Sequence, residues 1–173
     1  GCDNRFEKEF MFLKMRPLDR ARNYLVEYAL GKGFDWILSI DHDNAPNQNP
    51  LDLCLLEKDI VFCPTPIIKD GDIRMNVQCQ GEPKGLHEVD LAGTGCYVIS
   101  RKALLEIPKP HFAFSQDDKG ILRGFIGEDV TFCTKAKEAG FKLYMHTDYY
   151  CSHHHEVDLL DLLKNRRIFT PGS

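Results

Sequence analysis

The sequence lacks the features that mark membrane-spanning, disordered and repetitive proteins. No window of its 173 residues approaches the ~20 consecutive apolar residues of a membrane-spanning helix. It has no low-complexity tract and no repeat of the length found in solenoid proteins. Its start does not show the charged-then-apolar pattern of a secretory signal peptide. We therefore expect a cytoplasmic protein, in the host cytoplasm if the chain is viral.

Positive charge is also in short supply. Lys and Arg together number 22 against 26 Asp and Glu, which leaves a formal net charge of −4. Strong nonspecific binding to a nucleic-acid backbone requires clustered cations, so this balance argues against it and leaves only a local basic groove open. The apolar fraction of 43% is that of an ordinary globular domain. The length predicts a single domain over residues 1–173.

The seven cysteines form no recognisable ligand or disulfide pattern. Their number is odd, no two occur as CxxC, and most stand inside apolar runs such as Val61-Phe62-Cys63 and Thr131-Phe132-Cys133. This usage is typical of small buried apolar residues in a reducing compartment. We prefer that interpretation to disulfide bonds or a zinc–cysteine site.

Helical and strand-like segments alternate through the first two-thirds of the chain. Apolar residues recur at helical spacing over 18–30 and 129–139. Short apolar runs over 36–40, 59–63 and 96–99 predict strands, and the run over 36–40 is typical of a strand that is buried on both faces. The alternation predicts an α/β fold with a mostly parallel central sheet flanked by helices.

Two acidic residues follow the predicted strand over 36–40. Ligands bind beyond the carboxyl ends of strands in open α/β sheets, so Asp41 and Asp43 stand where a ligand is expected. Two carboxylates on a tight turn repel each other, and Mg²⁺ or Mn²⁺ relieves that repulsion. A late run of histidines adds imidazole nitrogens, with His153 and His155 on one face if the segment is extended. A mixed oxygen and nitrogen site suits Mn²⁺; turn-forming aspartates and a solvated strand end are the alternatives.

Three further segments combine residue types that bind or react. Glu128 and Asp129 open a predicted helix, where acids either cap the helix or place a general base beside a cleft. The Gly93-Thr94-Gly95 segment precedes a strand and allows a tight turn or the close approach of a ligand to the backbone. Arg20 and Asn23 share a helix face. Arginine suits phosphate binding, although solvated surface residues are the alternative.

The order of these segments resembles that of the GT-A glycosyltransferases, and most of all the compact family-2-like enzymes of bacteria, phages and metagenomes. The resemblance extends from about Arg16 to His153, and its most specific stretch is GEDVTFCTKAKEAG over 127–140. In chain order, the matching segments are Arg20-Ala21-Arg22-Asn23, Asp41-His42-Asp43, Gly93-Thr94-Gly95, Gly127-Glu128-Asp129 and Cys151-Ser152-His153.

The resemblance implies a role for each matching residue. Asp43 resembles the acid that binds the metal ion holding the donor diphosphate, and His153 the histidine that completes that metal site. Asp41 resembles the acid that faces the donor ribose or assists the metal. Asp129 matches the usual catalytic base of inverting members, and Glu128 is expected to help bind the acceptor. The implied cofactor is Mn²⁺ or Mg²⁺.

The resemblance also implies the substrates. Gly93, Thr94 and Gly95 match the backbone beside the donor sugar, and Arg20 and Asn23 lie where family members place donor-contacting groups. The implied activity is that of a hexosyltransferase, which transfers a sugar from a nucleotide-sugar donor. A UDP-sugar is the expected donor. The acceptor is a glycan, a lipid, a protein or a modified DNA base. A noncatalytic nucleotide- or sugar-binding domain and a metal-dependent hydrolase are the alternatives.

One departure from the family concerns the start of the fold. The family's usual first strand, which ends in a Pro-Thr-Tyr-like motif and helps hold the nucleotide base, has no counterpart before Phe6. A truncated chain, a reduced fold with an open nucleotide pocket, and replacement by 168–171 through permutation are the three explanations. The polar segment over 108–124 predicts a mobile loop. The overlapping loop 111–126 is expected to close over the donor. Residues 158–167 predict a final helix.

Overall fold

The computed structural model describes residues 3–69, 72–116 and 125–154. Within them the helices are α1 (Leu18–Lys32), α2 (Arg101–Glu106) and α3 (Glu128–Glu138), and a 3-10 helix spans Pro50–Leu55. The described strands are β1 (Trp36–Ile40), β2 (Asn44–Pro46), β3 (Ile60–Phe62), β4 (Pro66–Lys69), β5 (Asp72–Met75), β6 (Val77–Gln78), β7 (Leu86–Val89), β8 (Leu91–Ala92), β9 (Cys96–Ser100), β10 (Ser115–Gln116), β11 (Phe125–Ile126), β12 (Leu143–His146) and β13 (Cys151–His153).

The two helices and three strands predicted above are found with small shifts of their ends. The helices expected over 18–30 and 129–139 and the strands expected over 36–40, 59–63 and 96–99 are α1, α3, β1, β3 and β9. No helix among the described residues is long and apolar enough to cross a membrane. The predicted helix over 158–167, the segment 168–171, His155 and residues 117–124 of the predicted loop lie outside the described residues.

The central sheet is mixed and mostly antiparallel, which corrects the expectation of a mostly parallel sheet. Its five strands follow the order β1-β9-β3-β12-β7. Strand β9 is antiparallel to both of its neighbours, β12 is parallel to β3, and β7 is antiparallel to β12. Strands and helices alternate along the chain, but this alternation does not determine the direction of each strand. Here β9 enters the sheet between β1 and β3 from the opposite end.

Both faces of the sheet are covered, and the side chains of β9 alternate between them. Tyr97 and Ile99 pack in the larger core, with Val26 of α1, Leu104 of α2 and Phe132 of α3. Cys96 and Val98 instead point into a smaller core on the other face, beneath the 3-10 helix. Because each face of the sheet buries alternate residues of β9, the strand is apolar throughout.

Helix α1 ends where its sequence predicts. Gly33 adopts a left-handed conformation with φ of 81°, and its N–H donates to the carbonyl oxygens of Ala29 and Leu30. Phe34 donates to the Ala29 carbonyl oxygen at 3.1 Å, which turns the chain back toward β1. This tight exit places α1 over the larger core and leaves its first turns near the end of β1.

One edge of the sheet gathers the segments that were singled out from the sequence. Strands β1, β3 and β12 run in the same direction, so their carboxyl ends meet at this edge. Strand β9 runs the other way and begins there, with Ile40 opposite Cys96. The N–H of Asp41 donates to the Gly95 carbonyl oxygen at 2.8 Å. The turn after β1 is thereby fixed against the segment before β9.

Candidate active site

Arg22 is the centre of a buried group of charges at this edge. Its side chain is 4% exposed. Nη2 donates to both carboxylate oxygens of Asp41, at 3.0 and 3.1 Å, and to the Thr94 carbonyl oxygen at 3.0 Å. Nη1 donates to Glu128 Oε1 at 3.1 Å. One guanidinium therefore joins α1, the end of β1, the segment before β9 and the start of α3.

The neighbours of Arg22 decide how its charge is held. Burial disfavours the guanidinium charge, but the nearby Tyr97, Asp41 and Glu128 outweigh burial, and the pKa of Arg22 is raised. The pKa of Asp41 is also raised, chiefly by burial and further by the adjacent Asp43, although Arg22 acts in the opposite direction. Arg22 therefore favours the ionised form of Asp41, which burial disfavours.

Asp43 and His153 meet although 110 positions separate them in the chain. His153 Nε2 lies 3.4 Å from Asp43 Oδ2. His153 Nδ1 is 2.9 Å from the Pro66 carbonyl oxygen, and because a carbonyl oxygen only accepts, Nδ1 carries the hydrogen. The nitrogen that faces the carboxylate is then an acceptor in the neutral ring. Such a pair is stabilised by a proton or by a cation held between the two groups.

The pairing of β2 with β13 brings these two residues together. His153 lies opposite Asn44 in the antiparallel register, and the N–H of His154 donates to the Asp43 carbonyl oxygen at 2.8 Å. Asn44 Oδ1 is buried with no hydrogen-bond partner among the described residues. A buried acceptor without a partner is unusual.

Asp41 does not complete a compact three-ligand group with Asp43 and His153. Among the described residues, three or more ligand atoms of His, Cys, Asp and Glu come within 4.8 Å of one another only at a cluster of cysteines. The carboxylate of Asp41 is instead bound by Arg22. The structure thus separates the two acids, with Asp43 facing His153 and Asp41 facing the guanidinium.

The two acids that open α3 point in different directions. Glu128 is buried and accepts a hydrogen bond from Arg22. Its Oε1 also lies 3.4 Å from Thr94 Oγ1. Asp129 is half-buried, and its Oδ1 accepts from the N–H of Val130 at 2.8 Å. A Cβ on Gly127 would lie 2.5 Å from Asp129 Oδ1. The glycine therefore leaves the space that the Asp129 carboxylate occupies, while Glu128 turns inward.

The glycines before β9 are in contact with asparagine side chains. A Cβ on Gly93 would lie 1.6 Å from Asn76 Nδ2, and one on Gly95 would lie 2.5 Å from Asn44 Nδ2. Between them, Thr94 is buried and bonded to Arg22 and Glu128. The space above both glycines is filled by this chain's own amides, which explains their lack of side chains without a ligand.

Arg20 and Asn23 are separated by the structure into different environments. Arg20 is exposed, and its backbone N–H donates to Asp19 Oδ1 at 2.9 Å and to the Pro17 carbonyl oxygen at 3.2 Å. Asn23 Nδ2 donates to the carbonyl oxygens of Asp19 and Phe112, at 2.8 and 2.7 Å, and its Oδ1 accepts from the N–H of Phe112. The amide of Asn23 thus ties α1 to the segment after α2.

The sequence indicates that Arg22, unlike Arg20, lies on the buried face of α1. Val26 and Ala29 lie four and seven positions after Arg22, and both are buried in the larger core. A charged residue on the apolar face of a helix requires buried partners. The apolar face of α1 therefore contains the arginine that organises the site, and the exposed face does not.

Three cysteines that are far apart in the sequence also lie together in the structure. The Sγ atoms of Cys63, Cys96 and Cys151 all lie within 4.8 Å of one another, and the residues are 2%, 0% and 1% exposed. All six described cysteines are free thiols, as their spacing predicted. Their convergence depends on the pairing of distant strands, which no local pattern of spacing indicates.

Comparison with known proteins gives evidence for the fold alone. The chain is similar to a solved structure described as the crystal structure of A197 from STIV, with a TM-score of 0.60 and 19% sequence identity. The similarity covers 82% of this chain and 70% of that chain. No protein-family model and no curated protein sequence matches the chain. At this level of identity the shared feature is the mixed α/β architecture.

Proposed function

We propose that this chain is a metal-dependent glycosyltransferase with a GT-A-like fold, which moves a sugar from a nucleotide-sugar to an acceptor hydroxyl. The observation that supports this proposal most is the Asp43–His153 pair, at 3.4 Å. Two segments far apart in the chain bring a carboxylate oxygen and an imidazole acceptor together at the sheet edge where α/β folds bind ligands. The order of motifs along the chain supports the same assignment.

The side chains present fit a divalent cation. Asp43 offers an oxygen and His153 offers Nε2, whose tautomer is fixed by the bond from Nδ1 to the Pro66 carbonyl oxygen. Such an outer hydrogen bond orients a ligating imidazole. A mixed set of oxygen and nitrogen suits Mn²⁺, and Mg²⁺ is the alternative when oxygen ligands dominate. Asp43 and His153 would hold the cation, which would supply positive charge to offset the negative charge of a departing diphosphate.

The other side chains position the substrates and move one proton. Arg22 holds the Asp41 carboxylate in one orientation at the end of β1, where it faces the donor ribose in the proposed complex. Asp129, at the start of α3, takes the proton from the acceptor hydroxyl as its oxygen attacks the anomeric carbon and the bond to the diphosphate breaks. General-base assistance of this kind contributes roughly 10²–10⁴ in rate.

Glu128 has a different role in this proposal from the acceptor binding that the resemblance implied. Its carboxylate is buried and bonded to Arg22 and Thr94. We therefore assign it to the positioning of Arg22, and through Arg22 to the orientation of Asp41. The proposed acceptor then approaches Asp129, the half-buried member of the pair.

The test measures the release of nucleoside diphosphate from a panel of nucleotide-sugars, with Mn²⁺ or with a chelator, in the presence of candidate acceptors. We expect release that requires the metal and is lost in Asp43→Asn. Asp90→Asn, which changes an exposed acid away from the edge, is the matched control and keeps full activity. Asp129→Asn should lower turnover about 10²-fold or more with little change in donor affinity.

Two outcomes would contradict the proposal. Binding of nucleotide-sugars without turnover, across the panel and with Mn²⁺, would favour a noncatalytic binding domain. Release at the same rate with and without acceptor, with free sugar as the product, would favour a hydrolase. Full activity of Asp129→Asn would remove that residue from the role of base.

A further inference from the structure

The smaller core contains a sulfur cluster that the proposed function does not use. The thiols of Cys63, Cys96 and Cys151 come from three parts of the chain: the residue after β3, the first residue of β9 and the first residue of β13. Each Sγ is within 4.8 Å of the other two. This convergence of three ligands of one type distinguishes them from Cys54, which lies in the same core outside the group.

The backbone holds the three cysteines in register. The N–H of Cys63 donates to the Cys96 carbonyl oxygen at 2.9 Å, and the N–H of Cys151 donates to the Pro64 carbonyl oxygen at 3.0 Å. The thiols are therefore placed by neighbouring strand ends rather than by mobile loops. A set of ligands on rigid elements is already organised before an ion binds.

The surroundings restrict which ion fits. The neighbouring side chains of the smaller core are apolar, and they include Leu53, Val61 and Val98. Among the described residues, no His, Asp or Glu joins the three sulfurs within the same distance. Zinc in a structural site requires four ligands, whereas Cu(I) is a soft cation that thiolates select and that three sulfurs satisfy.

From this geometry we infer that Cys63, Cys96 and Cys151 form a binding site for a soft monovalent cation of the Cu(I) class. On binding, each sulfur that becomes a thiolate releases its proton to solvent and forms a bond to the ion, and the ion remains Cu(I). The bound ion would join the end of β3, the start of β9 and β13. It would thereby stabilise the folded chain, because the unfolded chain does not hold three sulfurs together.

The experiment loads the full chain with Cu(I) under anaerobic, reducing conditions in competition with a Cu(I) chelator. Because the thiols are buried, Cu(I) is supplied both to the folded protein and during refolding from denaturant. The measurements are metal content after gel filtration, thermal unfolding, and X-ray absorption at the copper edge. We expect one retained Cu(I) with a first shell of three sulfurs and a raised unfolding temperature.

Two variants separate a specific site from general thiol affinity. Cys96→Ala removes one ligand and should lose the retained ion. Cys54→Ala, a cysteine of the same core outside the group, is the matched control and should retain it. If Cys96→Ala fails to fold, Cys63→Ser provides the same comparison, and circular dichroism checks the fold of each variant.

The inference fails if the native chain retains no Cu(I) by either loading route, or if Cys96→Ala and Cys63→Ser retain as much as the native chain. It also fails if the absorption spectrum shows nitrogen or oxygen ligands in place of three sulfurs. Those results would leave the three cysteines as small apolar residues of the core. None of these measurements depends on sugar transfer, so the two proposals stand or fall separately.

Discussion

Arg22 binds both carboxylate oxygens of Asp41 through a single nitrogen, Nη2, at 3.0 and 3.1 Å. This contact joins α1 to the end of β1, and the second nitrogen of the same guanidinium reaches Glu128 on α3. Three elements of the fold thus share one buried cation. Its removal would leave two carboxylates in a poorly solvated place without a counter-charge.

Arg22→Met should therefore destabilise the protein strongly. Removing one partner of a buried ion pair typically costs about 3 kcal/mol or more in the free energy of unfolding, and chemical denaturation measures this loss. Arg20→Met, an exposed arginine on the same helix, is the control and should change stability little. A small loss for Arg22→Met would show that the buried charges are compensated elsewhere.

Gly127→Ala should affect Asp129 and spare the fold. The added methyl group would lie 2.5 Å from Asp129 Oδ1, and the end of a flexible side chain moves away easily. We expect nearly unchanged thermal stability and a lower kcat in the transferase assay, because the carboxylate would be displaced from its position. Equal kcat for Gly127→Ala and the native chain would mean that this orientation of Asp129 is not the one used in catalysis.

Asn23→Ala distinguishes a structural from a donor-binding role. The Asn23 amide makes two hydrogen bonds with the backbone of Phe112 and one with Asp19. Loss of this half-buried amide leaves backbone groups of Phe112 and Asp19 without their partner, which typically costs about 1–3 kcal/mol in the free energy of unfolding when such groups are buried. We expect a lower unfolding free energy and an unchanged KM for the donor. A raised KM with native stability would instead support the role that the resemblance implied.

His111 should make the protein sensitive to acid. The residue is 1% exposed, and its Nε2 lies 2.8 Å from the Leu104 carbonyl oxygen. Burial lowers the pKa of His111, and the charge of Lys109 adds to this effect. The unfolded chain takes up a proton near pH 6.5, whereas the folded chain does so only at lower pH. Stability should therefore decrease as pH falls below about 6.5.

His111→Gln provides the comparison for this pH dependence. Glutamine retains a donor for the Leu104 carbonyl oxygen and does not titrate, so the slope of stability against pH between about 6.5 and 5 should become smaller. His87→Gln, a half-buried histidine of β7, is the control. If both variants lose the same slope, the acid sensitivity does not come from His111.

Local sequence patterns were sufficient to predict the helices and strands, but not the directions in which the strands pair in the sheet. Apolar spacing predicted α1 and β1 because each element buries residues with a period that the sequence displays. The direction of β9 depends on which edge the chain enters from, and a run such as Cys96-Tyr97-Val98-Ile99 is apolar in either direction. The mostly antiparallel sheet could therefore not be predicted from these residues.

The candidate site shows the same limit. The position of Asp43 after a buried strand was visible in the sequence, and the motif order suggested His153 as its neighbour. The ion pairs of Arg22 were not predicted, because its partners Asp41 and Glu128 are 19 and 106 positions away. The contact of three sulfurs likewise arises only when β13 pairs with β2, beside the ends of the central strands.

The charge at the sheet edge has a consequence for the order in which molecules arrive. Asp41 and Glu128 share the guanidinium of Arg22, while Asp43 faces His153, so the described side chains of this edge carry more carboxylates than guanidinium charge. A phosphate-bearing molecule that approaches this edge alone is repelled, and low ionic strength lengthens the range of that repulsion. The rate of encounter with such a molecule should rise as salt is added, or once a cation is bound at the edge. We therefore expect the cation to bind first and the phosphate-bearing molecule second.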